Sequence, residues 1–351
     1  MPAAVETAGF ANEGAWHRLG TVVDTNGNKG MTIEQALPAT GLDWAVERTL
    51  TLGFSRKLAA LNDPKRLADA IAAGTKIDLA DLVVNQFDRR NVQRTSDGRL
   101  LGNVGGTWHE FNPSDAFAIV DDLVREAGAK TWIEAGGSLD DGRKVWITVH
   151  IDSGMMIAGE KYATYMTVVT GFDGRTSTMV FFHEERIVCA NTLAIGIGQA
   201  KHSGRIIRVR HTKNAANRIK QARSILGLRD VRAEELARQG EWLVEQTMDD
   251  GEFAAFLDSL MPLPEDEGPA HTMRQERRGL VSKLYFEAEN LKPITGTRWG
   301  ALQATIEYAD HKRAFKDDES QMKAQLGFTA QNTELKDRAY AILRSPDLVV
   351  A

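Results

Sequence analysis

Between Arg143 and His183 apolar and polar residues alternate with the period of a β-strand. Over Lys144 to Ile151, Val145, Ile147, Val149 and Ile151 alternate with Lys144, Trp146, Thr148 and His150, so one face is buried and the other is wet or occupied. Tyr162 to Phe172 and Arg175 to His183 read as two further strands, joined by Asp173-Gly174, a dipeptide that readily takes the positive φ of a tight hairpin turn. Asn191 stands where the glycine-interrupted apolar run Leu193 to Ile197 begins, a position from which it would cap a helix. The predicted order is three antiparallel strands and a helix.

The flanking regions carry clear punctuation. Thr32 with Gln35 forms a capping-box pattern and predicts a short helix from Ile33 to Ala39, stopped near Gly41. Asn62-Asp63-Pro64 opens a second helix, with proline in its first turn, and Gly74 closes it. Leu82 to Phe87 and Leu100 to Val104 flank the turn tripeptide Ser96-Asp97-Gly98 and read as a hairpin. Asn112-Pro113-Ser114-Asp115 then starts a helix whose Phe117, Val120, Leu123 and Val124 share one face, and Gly128 ends it. The first thirty residues have little periodicity and read as an arm, in which Trp16 either tucks against the core or stacks on a base or a neighbouring subunit.

Beyond Asp230 the pattern is helical: Val231 to Met248, Gly251 to Met261, a linker from Pro262 to Pro269, Thr272 to Glu289, and Ala330 to Leu343. Trp299, Leu302, Ile306 and Ala309 are spaced for one buried face, which predicts a docking helix; Asp310-His311 at its end reads as a surface contact. The fold expected is α+β, with a twisted antiparallel sheet, helices packed on one face and a helical C-terminal region. Residues 1–30 form the arm, 31–230 the core and 231–351 the helical region.

Charge sharpens this picture. The chain of 351 residues has a net charge of −5, yet no acidic residue occurs between Glu185 and Asp230, where Lys201, Arg205, Arg208, Arg210, Lys213, Lys220 and Arg223 all fall. Arg205 to Arg210 reads as a strand and Thr212 to Leu226 as a helix with Lys213 and Lys220 on its polar face. Solvated faces usually interleave both signs, whereas cations left without local partners suit contact with phosphates. Composition, at 42% hydrophobic and 26% charged, is that of a protein with a sizeable core. A single cysteine, Cys189, excludes an internal disulfide framework and a cysteine-based zinc site, and fits a reducing, cytoplasmic setting. No apolar run approaches the roughly 18 residues that span a bilayer.

Signatures of common enzymes are missing: there is no phosphate-binding loop, dinucleotide fingerprint, His-Glu-x-x-His or nucleophile elbow. Cys189 follows Ile187-Val188 and reads as a buried, inert thiol. His183-Glu184-Glu185 and Asp140-Asp141 are carboxylate-bearing groups of the kind that hold metals, but their places at strand ends and turns favour structural roles. No catalytic residue, metal or cofactor is predicted.

Several blocks in order carry a resemblance: Ala15-Trp16-His17-Arg18-Leu19-Gly20, Met31 to Ala36 leading to Gly41-Leu42-Asp43-Trp44, Ser138 to Trp146, Val188 to Leu193, and Gly296 to Gly300 followed by Asp310-His311. Together they resemble the phage/plasmid-like protein family, built on a widespread domain of unknown function carried by phages, prophages and plasmids. Family members usually have proline before the Trp-His pair, where Ala15 stands here. The resemblance implies a mobile-element protein and brings no catalytic residues. The element order from Arg143 to Ala200 is also similar to the core of single-strand annealing recombinases, an analogy of fold alone.

The function expected is binding or annealing of single-stranded DNA, or RNA, in recombination or replication, by a homo-oligomer. Lys144, Arg205, Arg208, Arg210, Lys213, Lys220 and Arg223 would neutralise phosphates, and Trp146, Tyr162 or Tyr165 would stack on bases. The alternatives are a metal-dependent nucleic-acid enzyme, and a host-factor inhibitor presenting an acidic surface from its C-terminal helices.

Overall fold

A computed structural model describes residues 6–11, 21–25, 27–54, 61, 63–78, 82–84, 88–118, 120, 131–186, 191–193, 207–214, 224–326 and 329–345. Strands β1 (Thr7–Ala11) and β2 (Thr21–Val23) precede helix α1 (Ile33–Ala39). Then come β3 (Val46–Leu50), β4 (Leu52–Phe54), α2 (Pro64–Ala72), β5 (Leu82–Val84), β6 (Arg89–Arg94), β7 (Leu100–Gly105) and a helical stretch at 113–118. The central strands are β8 (Thr131–Leu139), β9 (Lys144–Ile151), β10 (Met156–Ile157), β11 (Glu160–Gly171), β12 (Thr178–Arg186), β13 (Asn191–Leu193) and β14 (Ile207–Val209). The helical region has α3 (Ser224–Glu245), α4 (Asp250–Leu260), α5 (Pro269–Glu287), α6 (Arg298–Glu307), α7 (Asp318–Gln325) and α8 (Ala330–Leu343).

The large sheet runs β13-β12-β11-β9-β8-β1-β2, with β14 also paired to β12 and β10 to β11. Its core is antiparallel, and the class is α+β as expected. Asp173 organises the β11–β12 turn: its carboxylate accepts from the amides of Arg175 and Thr176, and Gly174 takes φ +74°. The capping box at Thr32 and Gln35 is formed, as are the Asp63 cap and the Pro64 first turn.

Both faces of the sheet are covered. On one, Val145, Ile147, Val149, Met166 and Val168 meet α1, the small sheet β3-β6-β7 and Phe117 and Val120. On the other, Trp146, Tyr165, Val169 and Phe181 meet Met322 and Leu326 at the end of α7. A third core joins Met155, Ile157 and Tyr162 to the C-terminal helices, so the helical region packs directly on the sheet's β10–β11 end.

Four expectations are corrected. Thr7–Ala11 is not part of a loose arm but a buried strand, paired antiparallel to β8 from Thr7↔Ser138 to Phe10↔Ala135. The close approach depends on glycine, since a Cβ at Gly137 would lie 2.3 Å from the Thr7 carbonyl oxygen. The Ser96-Asp97-Gly98 turn joins β7 to the polar strand Arg89–Arg94, whereas Leu82–Val84 pairs with β4. Arg94 is buried there because Glu6 and Asp97 bond its guanidinium at 2.7 and 2.6 Å. Asn191 does not cap a helix; it opens β13, opposite Arg186. Trp16, Leu123, Val124 and Cys189 lie outside the described residues, as does the predicted helix around Lys220 up to Ser224, where α3 begins.

The fourth correction concerns Asp310. The docking helix is observed as α6, with Trp299, Leu302, Ile306 and Ala309 fully buried. It passes into a π-helical turn, Tyr308–Lys312, that carries Asp310 inward and away from the surface. Lys336 of α8 meets its carboxylate at 2.6 and 2.7 Å, and Asn332 Nδ2 donates to it at 3.1 Å. Both charged side chains are essentially inaccessible, so each depends on the other for its solvation. Lys336→Met is predicted to cost about 3–5 kcal/mol in urea unfolding, and pairing it with Asp310→Leu to recover most of that loss.

Candidate nucleic-acid interface and buried polar stripe

Of the acid-free span, β13, residues 207–214 and the start of α3 are described, and β14 carries Arg208. It pairs antiparallel with the first half of β12, through Thr178↔Val209, Met179↔Arg208 and Val180↔Ile207. Val209 is buried in the main core, so strand alternation turns Arg208 and Arg210 to solvent, and Lys213 is exposed just beyond. Among the described residues no carboxylate pairs with any of the three.

His211 pins the end of this strand. Its ring stacks on Trp108 with centroids 5.1 Å apart, Nε2 lies 3.2 Å from Thr170 Oγ1, and its carbonyl accepts from the His109 amide at 3.1 Å. Burial holds the imidazole down, at about 4 instead of 6.5, against the pull of Asp173.

The other sequence-predicted site residues separate into three groups. Arg205, Lys220 and Arg223 lie outside the described residues. Lys144 is committed elsewhere: it bonds Asp140 at 2.6 Å, and Lys323 of α7 reaches the same carboxylate. Although Asp140 is partly buried, which alone would raise its pKa, hydrogen bonds from Lys144 and Lys323 leave it below the ordinary value. This cluster ties α7 to the β8–β9 turn, so Lys144 is not a free phosphate contact and Asp140 is not a free metal ligand. Trp146, Tyr162 and Tyr165 are 0%, 0% and 3% exposed. They fill the second and third cores and offer no face to a base, which corrects the stacking assignment.

Sequence reasoning missed a different constellation. Pairing registers Trp132 with His150, His150 with Tyr165 and Tyr165 with His183, which lays four rings in a row across β8, β9, β11 and β12. Trp132 stacks on His150 at 4.1 Å and Tyr165 on His183 at 5.3 Å. A bulge in β8 between Ile133 and Ala135 admits Glu134, whose carboxylate accepts from His150 Nδ1 at 2.8 Å and from the Tyr165 hydroxyl at 3.0 Å. Burial, then the negative charges of Glu185 and Glu134, push the Tyr165 phenol well above its ordinary value, so it stays a proton donor to Glu134. His183 and Glu185 share this face, while strand alternation puts Glu184 on the other. The signal was a lone carboxylate in an otherwise uncharged strand, Thr131–Leu139. Among the described residues no group of three or more His, Cys, Asp or Glu is arranged to hold a metal.

A family model described as a domain of unknown function, DUF932, matches residues 100–327, which take in the stripe, β14 and most of the helical region. The chain belongs to the DUF932 family. No curated protein and no solved structure matches it. Within this DUF932 chain the matched span ends before α8, so Lys336 lies outside it while Asp310 lies inside. Among the described residues no helix is long and apolar enough to cross a membrane.

The His211 environment sets a pH dependence. A histidine whose folded pKa is depressed takes up a proton more readily when unfolded, so its contribution is complete above about pH 6.5 and is lost as pH falls towards about 4. Urea titrations over that window should show stability declining, and His211→Phe should decline less than the wild type across the same interval.

Proposed function

We propose that this DUF932 protein binds single-stranded nucleic acid, DNA in the first instance and RNA by the same contacts, in recombination or replication of a mobile element. The observation that carries this reading is the row Arg208, Arg210 and Lys213, solvent-facing and, among the described residues, without carboxylate partners, at the edge of the large sheet. Such cations neutralise phosphates and release counterions, which gives sequence-independent, salt-sensitive binding. Because Trp146, Tyr162 and Tyr165 are core residues, base stacking by them contributes nothing and the phosphate term dominates. One β14 edge spans few nucleotides. Self-association through the outermost strands, β2 and the β12 side, would extend the track, since sheet edges are templates for another chain.

Arg208→Ala, Arg210→Ala and Lys213→Ala together are predicted to weaken binding of all oligonucleotide sequences alike and to lower the salt slope by about one unit per lost phosphate contact. Gel shifts at several salt concentrations, with light scattering on the same mixtures, provide the measurement. Unchanged slope and affinity in the folded triple variant would remove β14 from the site, and a monomer with and without oligonucleotide would remove the assembly.

A second reading, a nucleic-acid enzyme, is favoured by the His150–Glu134 pair. A carboxylate bonded to Nδ1 fixes the imidazole tautomer and leaves Nε2 as the basic nitrogen, as in an oriented general base. Labelled single strands incubated with and without magnesium test it: His150→Gln should abolish any conversion while leaving the triple-alanine salt slope unaffected. No conversion by the wild type under either condition would retire this reading.

A further inference from the structure

The helical region contains a groove of about 500 Å3 between α5, the π-helical turn and α8. Four arginines, Arg274, Arg277, Arg313 and Arg338, line it. Among the described residues none is paired with a carboxylate: Arg274 bonds the Pro262 carbonyl, Arg277 the Met273 sulfur, Arg313 the amide oxygens of Asn332 and Gln331, and Arg338 the Ser259 carbonyl. Neutral partners position a guanidinium without cancelling its charge. The Arg313 amide also donates to the Tyr308 carbonyl at 2.9 Å, closing the π turn five residues back and setting Arg313 at the groove.

Burial leaves the Tyr308 phenol above its ordinary value, with the positive charges of Arg277, Arg313 and Arg274 acting the other way. Beneath and beside them lie apolar side chains. Met273 is 47% exposed and Leu280 42%, seven residues apart on one face of α5, and Leu335 of α8 faces them across the groove.

We propose that this groove docks an acidic segment of a partner protein, anchored by an apolar side chain between Met273, Leu280 and Leu335 and held by carboxylates on Arg277 and Arg313. Arginine forks suit bidentate carboxylate recognition, and methionine and leucine floors adapt to an aliphatic or aromatic anchor. A nucleic-acid strand fits less well. Tyr308 is only 5% exposed and gives no stacking platform for a base, whereas the exposed Met273 and Leu280 suit an apolar side chain. The site is separate from β14, so the proposal stands or falls independently of the nucleic-acid reading.

The probe is a short fluorescein-labelled peptide with leucines flanked by glutamates, titrated into the full chain and read by anisotropy. Matched peptides carry lysine for glutamate or serine for leucine, and a labelled thymidine oligonucleotide forms the last arm. Binding of the Glu/Leu peptide is expected, with roughly tenfold or greater loss on Arg277→Glu with Arg313→Glu and a similar loss on Met273→Asp, while Arg208→Ala leaves it unchanged. Circular dichroism melting confirms folding, and Arg277→Gln serves where the charge reversals do not fold. The proposal is overturned if the Lys/Leu or Glu/Ser peptide binds equally, if the folded groove variants bind the Glu/Leu peptide as the wild type does, or if the oligonucleotide loses affinity on the same substitutions to the same degree.

Discussion

Everything in the core rests on the register shared by β8, β9, β11 and β12. Side chains alternate with period two, so a slip of one residue in any of these strands would exchange its Val/Ile/Met face for its Trp/Tyr/His face. Because both faces are buried, against unlike partners, no such exchange is tolerated. The Asp173–Gly174 turn sets one pairing, and the β8 bulge sets another by absorbing one residue at Glu134. That single extra residue places a carboxylate between His150 and Tyr165.

Covering the second face is what makes the helical region part of the same body. Met322 and Leu326 close over Trp146 and its neighbours, and the Asp140 cluster with Lys144 and Lys323 clamps the same helix to a turn of the sheet. Apolar burial supplies the free energy, while the ion cluster supplies position, since partly exposed pairs of this kind contribute little on their own. The buried Asp310–Lys336 pair does the equivalent for α6 and α8, at a desolvation cost that its short contacts and the Asn332 hydrogen bond offset.

The described cations fall into two sets. Cations that hold the fold together, Arg94, Lys144, Lys323 and Lys336, all have carboxylate partners. Those on β14 and around the α5–α8 groove have none among the described residues. Leaving cations without carboxylate partners beside one another carries a repulsive cost, which is why we propose both surfaces as places where anions arrive from outside.

Local physics was legible from the residues alone. The Thr32 box, the Asp63 cap, the Asp173–Gly174 hairpin and the buried stripe of α6 are each decided within a few positions by hydrogen-bonding groups and periodicity, and each is observed where the pattern puts it. What depended on distant partners was not legible. Thr7–Ala11 becomes a strand because Gly137 in β8 lets it approach; Arg89–Arg94, polar throughout but for Val92, becomes one because Glu6 and Asp97 neutralise Arg94. The burial of Trp146, Tyr162 and Tyr165, the committed state of Lys144, and the assembly of Glu134, His150 and Tyr165 into one network arise only when strands far apart in the chain are brought into register. Alternation states that two faces differ; only the tertiary partners determine which face meets water, because burial is a property of contacts between segments and not of any segment by itself.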